Sequence, residues 1–211
     1  WQPEPVHATV AAGAQCIVTL NASPYHMAKG REREEIVQAR ARETGVPLVY
    51  VNLVGGQDEL VFDGASFTMD GQGRVVQRCP AFEEGLYLAE IGIRNGRAVP
   101  VAGPSAPELA LEAEIYRALV LGVRDYVGKN GFPGVAIGLS GGIDSALTLC
   151  IAVDALGADK VEVLLMPSRY TATMSLEDAT AQAKAMGVAH HVISIEPLYE
   201  AFMAQRRDAF K

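Results

Sequence analysis

The run Gly138-Leu139-Ser140-Gly141-Gly142-Ile143-Asp144-Ser145 constrains the fold of this chain more than any other segment. An apolar run, Val135-Ala136-Ile137, leads into it, and a strongly helical run, Ala146 to Leu156, leads out. A strand must therefore pass through a tight glycine turn directly into a helix. Such a turn offers unpaired backbone N–H groups, reinforced by the helix dipole, to an anion. Gly141 and Gly142 have no Cβ, so both are expected to reach positive φ and to let a phosphate approach closely. Ser140 and Ser145 are expected to add hydroxyl donors. Asp144 would repel a bare phosphate, which implies a bridging cation. Mg2+ shared between carboxylate and phosphate oxygens is the usual solution. Residues 138–145 are read as a pyrophosphate site for ATP, with Asp144 as its metal-linked member. The run is not a Walker A loop, because no lysine follows the glycines.

With 211 residues the chain has room for one large domain or two small ones. Its 49% hydrophobic and 20% charged content is that of a globular α/β protein. A net charge of −7 argues against a general nucleic-acid surface, so no nucleic-acid partner is expected. No apolar run reaches the roughly 18–20 residues that span a bilayer, so no membrane association is expected either. Cys16, Cys79 and Cys150 are widely spaced and contain no CxxC pair. They imply neither a zinc site nor a disulfide framework and fit a reducing, cytoplasmic setting. The chain opens at Trp1 without an initiator Met and stops at Lys211 just after an amphipathic run; both ends are expected to be cuts through a longer protein.

Two patterns meet near residue 100. The first half begins with a helical stretch, Val6 to Ala14, and an apolar strand, Cys16 to Leu20. A loop, Asn21-Ala22-Ser23-Pro24-Tyr25-His26, follows. A charged helix is expected from Gly30 to Thr44, with Ile36, Val37 and Ala39 to Ala41 on its buried face and Gly45 as its cap. Pro47 to Asn52 reads as a strand buried on both faces. Glycine turns after that separate short strands such as Ser66–Met69 and Val75–Arg78. Glycines and prolines then cluster in residues 96–107, which are read as a linker. Beyond it a helix from about Glu108 to Lys129 is expected, with Leu111, Ile115, Leu119 and Val123 at helical spacing. Strands at Val135–Leu139, Val161–Met166 and His191–Ile195 alternate with helices at Ser145–Leu156 and from a Ser175/Asp178 capping box to Gly187. That order implies a doubly wound parallel sheet, with ligands outside the carboxyl ends of its strands.

The glycine run resembles the Ser-Gly-Gly-x-Asp-Ser signature of the ATP pyrophosphatase (PP-loop) enzymes. The first half is similar to the later part of a nitrilase-type (carbon–nitrogen hydrolase) amidase, an α-β-β-α sandwich. That similarity rests on Trp1-Gln2-Pro3, the Asn21 to His26 loop with Lys29 and Arg33, and Val51-Asn52 through Phe62-Asp63-Gly64-Ala65-Ser66. Together, with Met166-Pro167-Ser168-Arg169-Tyr170-Thr171, the halves resemble the glutamine-dependent NAD synthetase family. The resemblance implies a nitrilase-like part over 1–95, a linker over 96–107 and a synthetase part over 108–211. It also implies the chemistry. Glutamine is hydrolysed by a Glu-Lys-Cys triad, ATP adenylates deamido-NAD, and ammonia displaces AMP to give NAD. ATP, Mg2+, glutamine and deamido-NAD are the implied small molecules, and a homo-oligomer is expected.

Carried onto this sequence, the resemblance places Ser23 and Lys29 against glutamine, where a hydroxyl and an ammonium can bind its α-carboxylate or its α-amino end. The triad has no counterpart here; it is expected upstream of Trp1, so the 211 residues alone are expected to be inactive. Cys16, inside an apolar strand, reads as a structural thiol. Arg33 and Glu35 read as helix surface. Two other readings stay open: a different PP-loop pyrophosphatase, such as a tRNA-modifying enzyme, or a non-catalytic nucleotide-binding module.

Overall fold

Short apolar strands bounded by glycine turns build a mixed sheet in the first half, and longer β-α-β alternation builds a parallel one in the second. The computed structural model describes residues 4–209, so the Trp1-Gln2-Pro3 run lies outside the described residues. Two compact units divide within a helix, at Trp1–Gly122 and Val123–Lys211.

In the first unit, helix α1 (Pro5–Ala11) precedes strand β1 (Ile17–Asn21), helix α2 (Lys29–Thr44) and strand β2 (Leu48–Asn52). α1 ends three residues earlier than expected, ahead of Gly13, which takes positive φ. Strands β3 (Val54–Gln57) and β4 (Leu60–Asp63) form a hairpin, followed by β5 (Phe67–Met69) and β6 (Val75–Arg78). The sheet order is β1-β2-β5-β6, with β1 and β2 parallel and the other pairs antiparallel. Helix α2 covers one face. Its Val37 and Ala41 pack with Leu48, Tyr50, Phe67 and Met69 from the sheet. The turn after β5 seats Gly71 against the end of α2, where an added Cβ would lie 2.3 Å from the Gly45 carbonyl oxygen.

The buried face of α2 differs from expectation in an instructive way. Ile36 is exposed, and the buried residues are Arg33, Val37 and Ala41. Their spacing of four places them on one stripe of the helix, so an arginine extends an otherwise apolar face. Residues 96–107 also differ from a bare linker. Strand β8 (Arg97–Pro100) pairs with β7 (Ile91–Arg94) in an antiparallel hairpin, because the Asn95-Gly96 turn supplies the two positive-φ residues such a hairpin needs. Helix α3 (Leu111–Lys129) begins three residues late, and its buried positions in this unit are Ala118 and Leu121 rather than Leu111 and Leu119. Those two pack with Phe82.

The second unit is a parallel sheet of order β11-β10-β9, formed by β9 (Val135–Gly138), β10 (Val161–Leu165) and β11 (Ala189–Val192). Helix α4 (Ile143–Leu156) crosses from β9 to β10, and α5 (Thr173–Ala185) from β10 to β11; helix α6 (Glu196–Ala209) follows. The two crossover helices touch, Gln182 Nε2 of α5 donating to the Ala146 carbonyl of α4 at 2.9 Å. Leu149 and Ala152 of α4 and Ala179 and Ala183 of α5 close the core over Val161, Val163 and Leu165 of β10. The Ser175/Asp178 capping box does not form. α5 starts at Thr173 with Ala172 as its N-cap, and no side chain caps it.

Leu149 has no exposed surface, and α4 carries the residues of the glycine turn at its N-terminus. Leu149→Ala is expected to lower the unfolding free energy by about 2–5 kcal/mol through lost burial and the cavity left behind. Chemical denaturation monitored by circular dichroism would measure it.

Candidate functional sites

The glycine turn lies at the carboxyl end of β9 and the N-terminus of α4, where the β-α order of the parallel sheet requires it to be. Only one of its two central glycines has the expected backbone. Gly141 takes φ +81°, whereas Gly142 is extended at φ −89°, ψ 160°. Gly141 is also the residue with no room for a side chain. An added Cβ would sit 2.3 Å from the Ser175 carbonyl oxygen and 2.8 Å from its Cα, while the nearest atom to a Cβ on Gly142 is 3.4 Å away. The first turn of α5 therefore presses the loop into place, and Gly141 is what permits the approach.

The two serines brace the turn instead of pointing free hydroxyls outward. Ser145 Oγ accepts the Ser140 N–H at 3.2 Å and donates to the Gly142 carbonyl at 3.0 Å. The Ser140 hydroxyl lies 2.9 Å from Ser145 Oγ and accepts the Gly142 N–H at 3.2 Å. What stays open to a ligand is the start of α4 itself. No side chain caps it, so the N–H groups of Ile143, Asp144 and Ser145 form the anion-facing surface. Ile143 and Asp144 are exposed beside it. Gly138 ends β9 and Leu139 is buried beneath the turn, donating its N–H to the Leu164 carbonyl at 3.0 Å. Among the described residues no three His, Cys, Asp or Glu side chains converge as a metal cage. The Asp144 carboxylate is a hard oxygen donor that fits Mg2+ only where phosphate oxygens and water complete the shell.

In the first unit the loop that carries Ser23 is organised by Arg33. The Arg33 side chain is 5% exposed and that of Asp63 2%, and Arg33 Nη1 donates to both carboxylate oxygens of Asp63 at 2.8 Å. Arg33 Nε donates to Ser23 Oγ at 3.1 Å, and Nη2 donates to the Ser23 and Pro24 carbonyls at 2.7 and 3.1 Å. Asn52, at the end of β2, accepts the Ser23 N–H at 2.9 Å and donates to the Ser23 carbonyl at 3.3 Å. Arg33 is thus no surface residue, whereas Glu35 is exposed as expected. The signal that identifies Arg33 in the sequence is its 33/37/41 spacing with Val37 and Ala41, together with the Asp63-Gly64 turn that supplies its counter-ion.

Lys29 opens α2 and pairs with Glu32 at 2.9 Å, half-buried on the same loop-to-helix junction as Ser23. Beside Asp63 lies a cavity of about 360 Å³, lined in part by Glu114, Arg78 and Glu34. Burial, and then the negative charge of Asp63, raise the Glu114 carboxyl above its usual range, with Arg33 opposing them. Cys16 lies just before β1, not within it, and burial raises its thiol pKa. A raised thiol pKa means less thiolate and a poor nucleophile.

With this geometry in hand, comparison with known proteins is specific. Residues 1–100 match the carbon–nitrogen hydrolase family and residues 115–211 match the NAD synthase family. The glutamine-dependent NAD(+) synthetase of Xylella fastidiosa is 47% identical over 204 residues, and that of Acinetobacter baylyi 45% over 203. These alignments cover 97% and 96% of this chain, which spans 37% of the length of either relative. The solved glutamine-dependent NAD+ synthetase of Acinetobacter baumannii, in complex with ADP, superposes with a TM-score of 0.93 at 43% identity, covering 100% of this chain and 40% of that one. A glutamine-dependent NAD(+) synthetase from Cytophaga hutchinsonii shares the fold at 19% identity, with a TM-score of 0.80, covering 94% of this chain and 39% of that one.

Two outcomes follow, one from the packing at Gly141 and one from the raised pKa of Glu114. Gly141→Ala is expected to cost about 1–3 kcal/mol through overpacking against Ser175, whereas Gly142→Ala should stay within about 0.5 kcal/mol of the parent. Equal losses in denaturant titrations would contradict the assignment of the tight contact. Glu114 carries a raised folded-state pKa, so its contribution to stability is fully present at low pH and is lost as pH rises through that pKa. Glu114→Gln should therefore raise Tm at pH 7.5 and leave it unchanged at pH 4. Melting curves at the two pH values would check the sign.

Proposed function

We propose that the chain belongs to the glutamine-dependent NAD(+) synthetase family and that it carries parts of the glutamine site and the ATP site of such an enzyme. Glutamine chemistry is assigned within residues 1–95 and nucleotide chemistry within 108–211, in keeping with the hydrolase and synthase matches at 1–100 and 115–211. The observation that carries the reading is the uncapped start of α4 behind Gly141, in a sequence 47% identical to a glutamine-dependent NAD(+) synthetase.

ATP binds at residues 138–145. The first-turn N–H groups of α4 and the helix dipole hold the phosphate oxygens, and they stabilise the charge that collects on pyrophosphate as the α–β bond breaks. Asp144 would hold Mg2+, which when bound would neutralise phosphate charge. The absence of a Walker lysine fits cleavage at the α-phosphorus instead of γ-phosphoryl transfer. Adenylation turns the pyridine carboxylate of deamido-NAD, a poor acyl donor, into an acyl adenylate with AMP as leaving group. Ammonia then displaces AMP to give the amide of NAD. Ser23 and Lys29 bind the glutamine that supplies the ammonia. The nucleophile of that hydrolysis is assigned to no residue of this chain, and the raised thiol pKa of Cys16 supports leaving it out. Mutually unpaired cysteines fit a cytoplasmic enzyme, and it is proposed to work as a homo-oligomer.

The full-length protein, given deamido-NAD, ATP, Mg2+ and glutamine, is expected to yield NAD, AMP and pyrophosphate in equal amounts. Formation of ADP and phosphate would overturn the reading. Asp144→Asn is expected to lower kcat/KM for ATP at least about tenfold, the size of one lost charge-assisted contact, while glutamine hydrolysis changes little. Unaltered NAD formation at limiting Mg2+ would remove Asp144 from the metal site.

A further inference from the structure

The segment that joins β10 to α5 flanks the glycine turn at both ends. At one end Met166 reaches the last residue of β9, where an added Cβ on Gly138 would lie 3.1 Å from Met166 Cε. At the other, the Ser175 carbonyl abuts Gly141. β9 and β10 are neighbours in the sheet, with Gly138 opposite Leu164, and such strands lie about 4.8 Å apart. The one cation among residues 166–175 is Arg169, and the one charge among residues 138–145 is Asp144. A turn that has no lysine of its own thus has an arginine on the wall beside it.

Arg169 is held by α6. Its guanidinium pairs with Glu196 through Nε and with Glu200 through Nη2, the latter at 3.0 Å, and its Cζ lies 5.5 Å from the centre of the Tyr199 ring. Its backbone N–H also donates to Glu196 Oε2 at 2.9 Å. The two acids differ in what they hold. Glu196 takes backbone as well as side chain, and so fixes the loop. Among the described residues Glu200 takes only the guanidinium, and its side chain is 66% exposed. An ion pair this exposed is weak, and a phosphate fits the planar guanidinium fork as a carboxylate does. Arg169 also lines a cavity of about 400 Å³, so its side chain has room to turn.

We infer that Arg169 is a phosphate-binding residue of the ATP site and that Glu200 competes for it, so that ATP exchanges the Arg169–Glu200 pair for a contact with its own pyrophosphate part. The inference rests on the reading of residues 138–145 as the ATP site. A fixed anchor between the loop and α6 would show the same contacts, but the two roles predict opposite signs when Glu200 is neutralised. Loss of an anchor loosens the loop that supports Gly141 and weakens binding. Loss of a competitor strengthens binding, because the ligand no longer has to displace it.

The test measures binding of ATP and of inorganic pyrophosphate, each with Mg2+, to the full-length protein by calorimetry in the absence of deamido-NAD. Glu200→Gln is expected to lower Kd for both ligands about two- to fivefold, the size of one exposed ion pair. Weaker or unchanged binding would overturn the competing role. Arg169→Gln is expected to raise both Kd values about tenfold, as the loss of one charge-assisted contact does. A loss confined to ATP would place Arg169 on the nucleoside, and no loss would remove it from the site; either result overturns the inference. In the Arg169→Gln background, Glu200→Gln should have no further effect. If it still tightens binding, Glu200 acts on the ligand directly and not through Arg169, and the exchange is refuted. Glu200→Gln alters an exposed helix surface and keeps the inference falsifiable should Arg169→Gln fail to fold. A parent protein that binds neither ligand would overturn the ATP-site reading and this inference with it. Binding by the parent that is indifferent to both substitutions would overturn this inference alone.

Discussion

The contact between Arg33 and Asp63 ties a helix, a strand end and a loop of the first unit together. It joins the buried stripe of α2 to the end of β4, and through Ser23, Pro24 and Asn52 it fixes the loop between β1 and α2. Burying two charges is costly, and a pair of this kind is tolerated only where geometry and surrounding hydrogen bonds compensate. Here the guanidinium donates to five acceptors on three residues. An apolar pair could fill the same volume with equal or greater stability. It could not hold a loop carbonyl, a second carbonyl and a hydroxyl in one plane. The arrangement therefore makes sense as a device that fixes a loop, with its cost borne by the packed sheet and helix around it.

The second unit solves a related problem by steric means. Its glycine turn has no buried charge; its shape comes from the first turn of α5 pressing on Gly141 and from two serines that hydrogen-bond to each other and to the loop backbone. With the serine hydroxyls committed to the turn, the outward chemistry is left to the N–H groups of α4 and to Asp144. An anion arriving there meets donors already aligned and needs little rearrangement of the protein, the condition under which electrostatic stabilisation is most effective.

Much of this was legible in the sequence, because the strongest signals are local. The strand–glycine–helix run at 135–156, the 16-residue helix capped by Gly45, and the short strands between glycine turns all follow from periodicity and turn chemistry. What escaped depends on long-range partners. Arg33 looks like a solvated charge until Asp63, thirty residues on, supplies the counter-ion that lets it occupy the apolar stripe of α2. Gly142 looks like a second positive-φ glycine, yet only Gly141 meets Ser175, which lies more than thirty residues away. The Ser175/Asp178 pattern looks like a helix start, but the helix begins two residues earlier. Gly96 reads as the start of a linker, yet with Asn95 it forms a hairpin turn, because β7 and β8 pair on either side of it.

These cases share a physical reason. A residue type states what a side chain can do, and its periodicity states which face it occupies, but the partner decides whether a polar group is solvated, paired or committed. Ser23 illustrates the last step. As a residue type it can donate or accept, so its sequence position leaves both ends of an amino-acid substrate open. Arg33 Nε occupies one lone pair of its oxygen at 3.1 Å, and the hydroxyl proton and the second lone pair remain for a partner. A hydroxyl that looks free in the sequence is thus placed by Arg33, whose own direction is set by the buried Asp63 carboxylate.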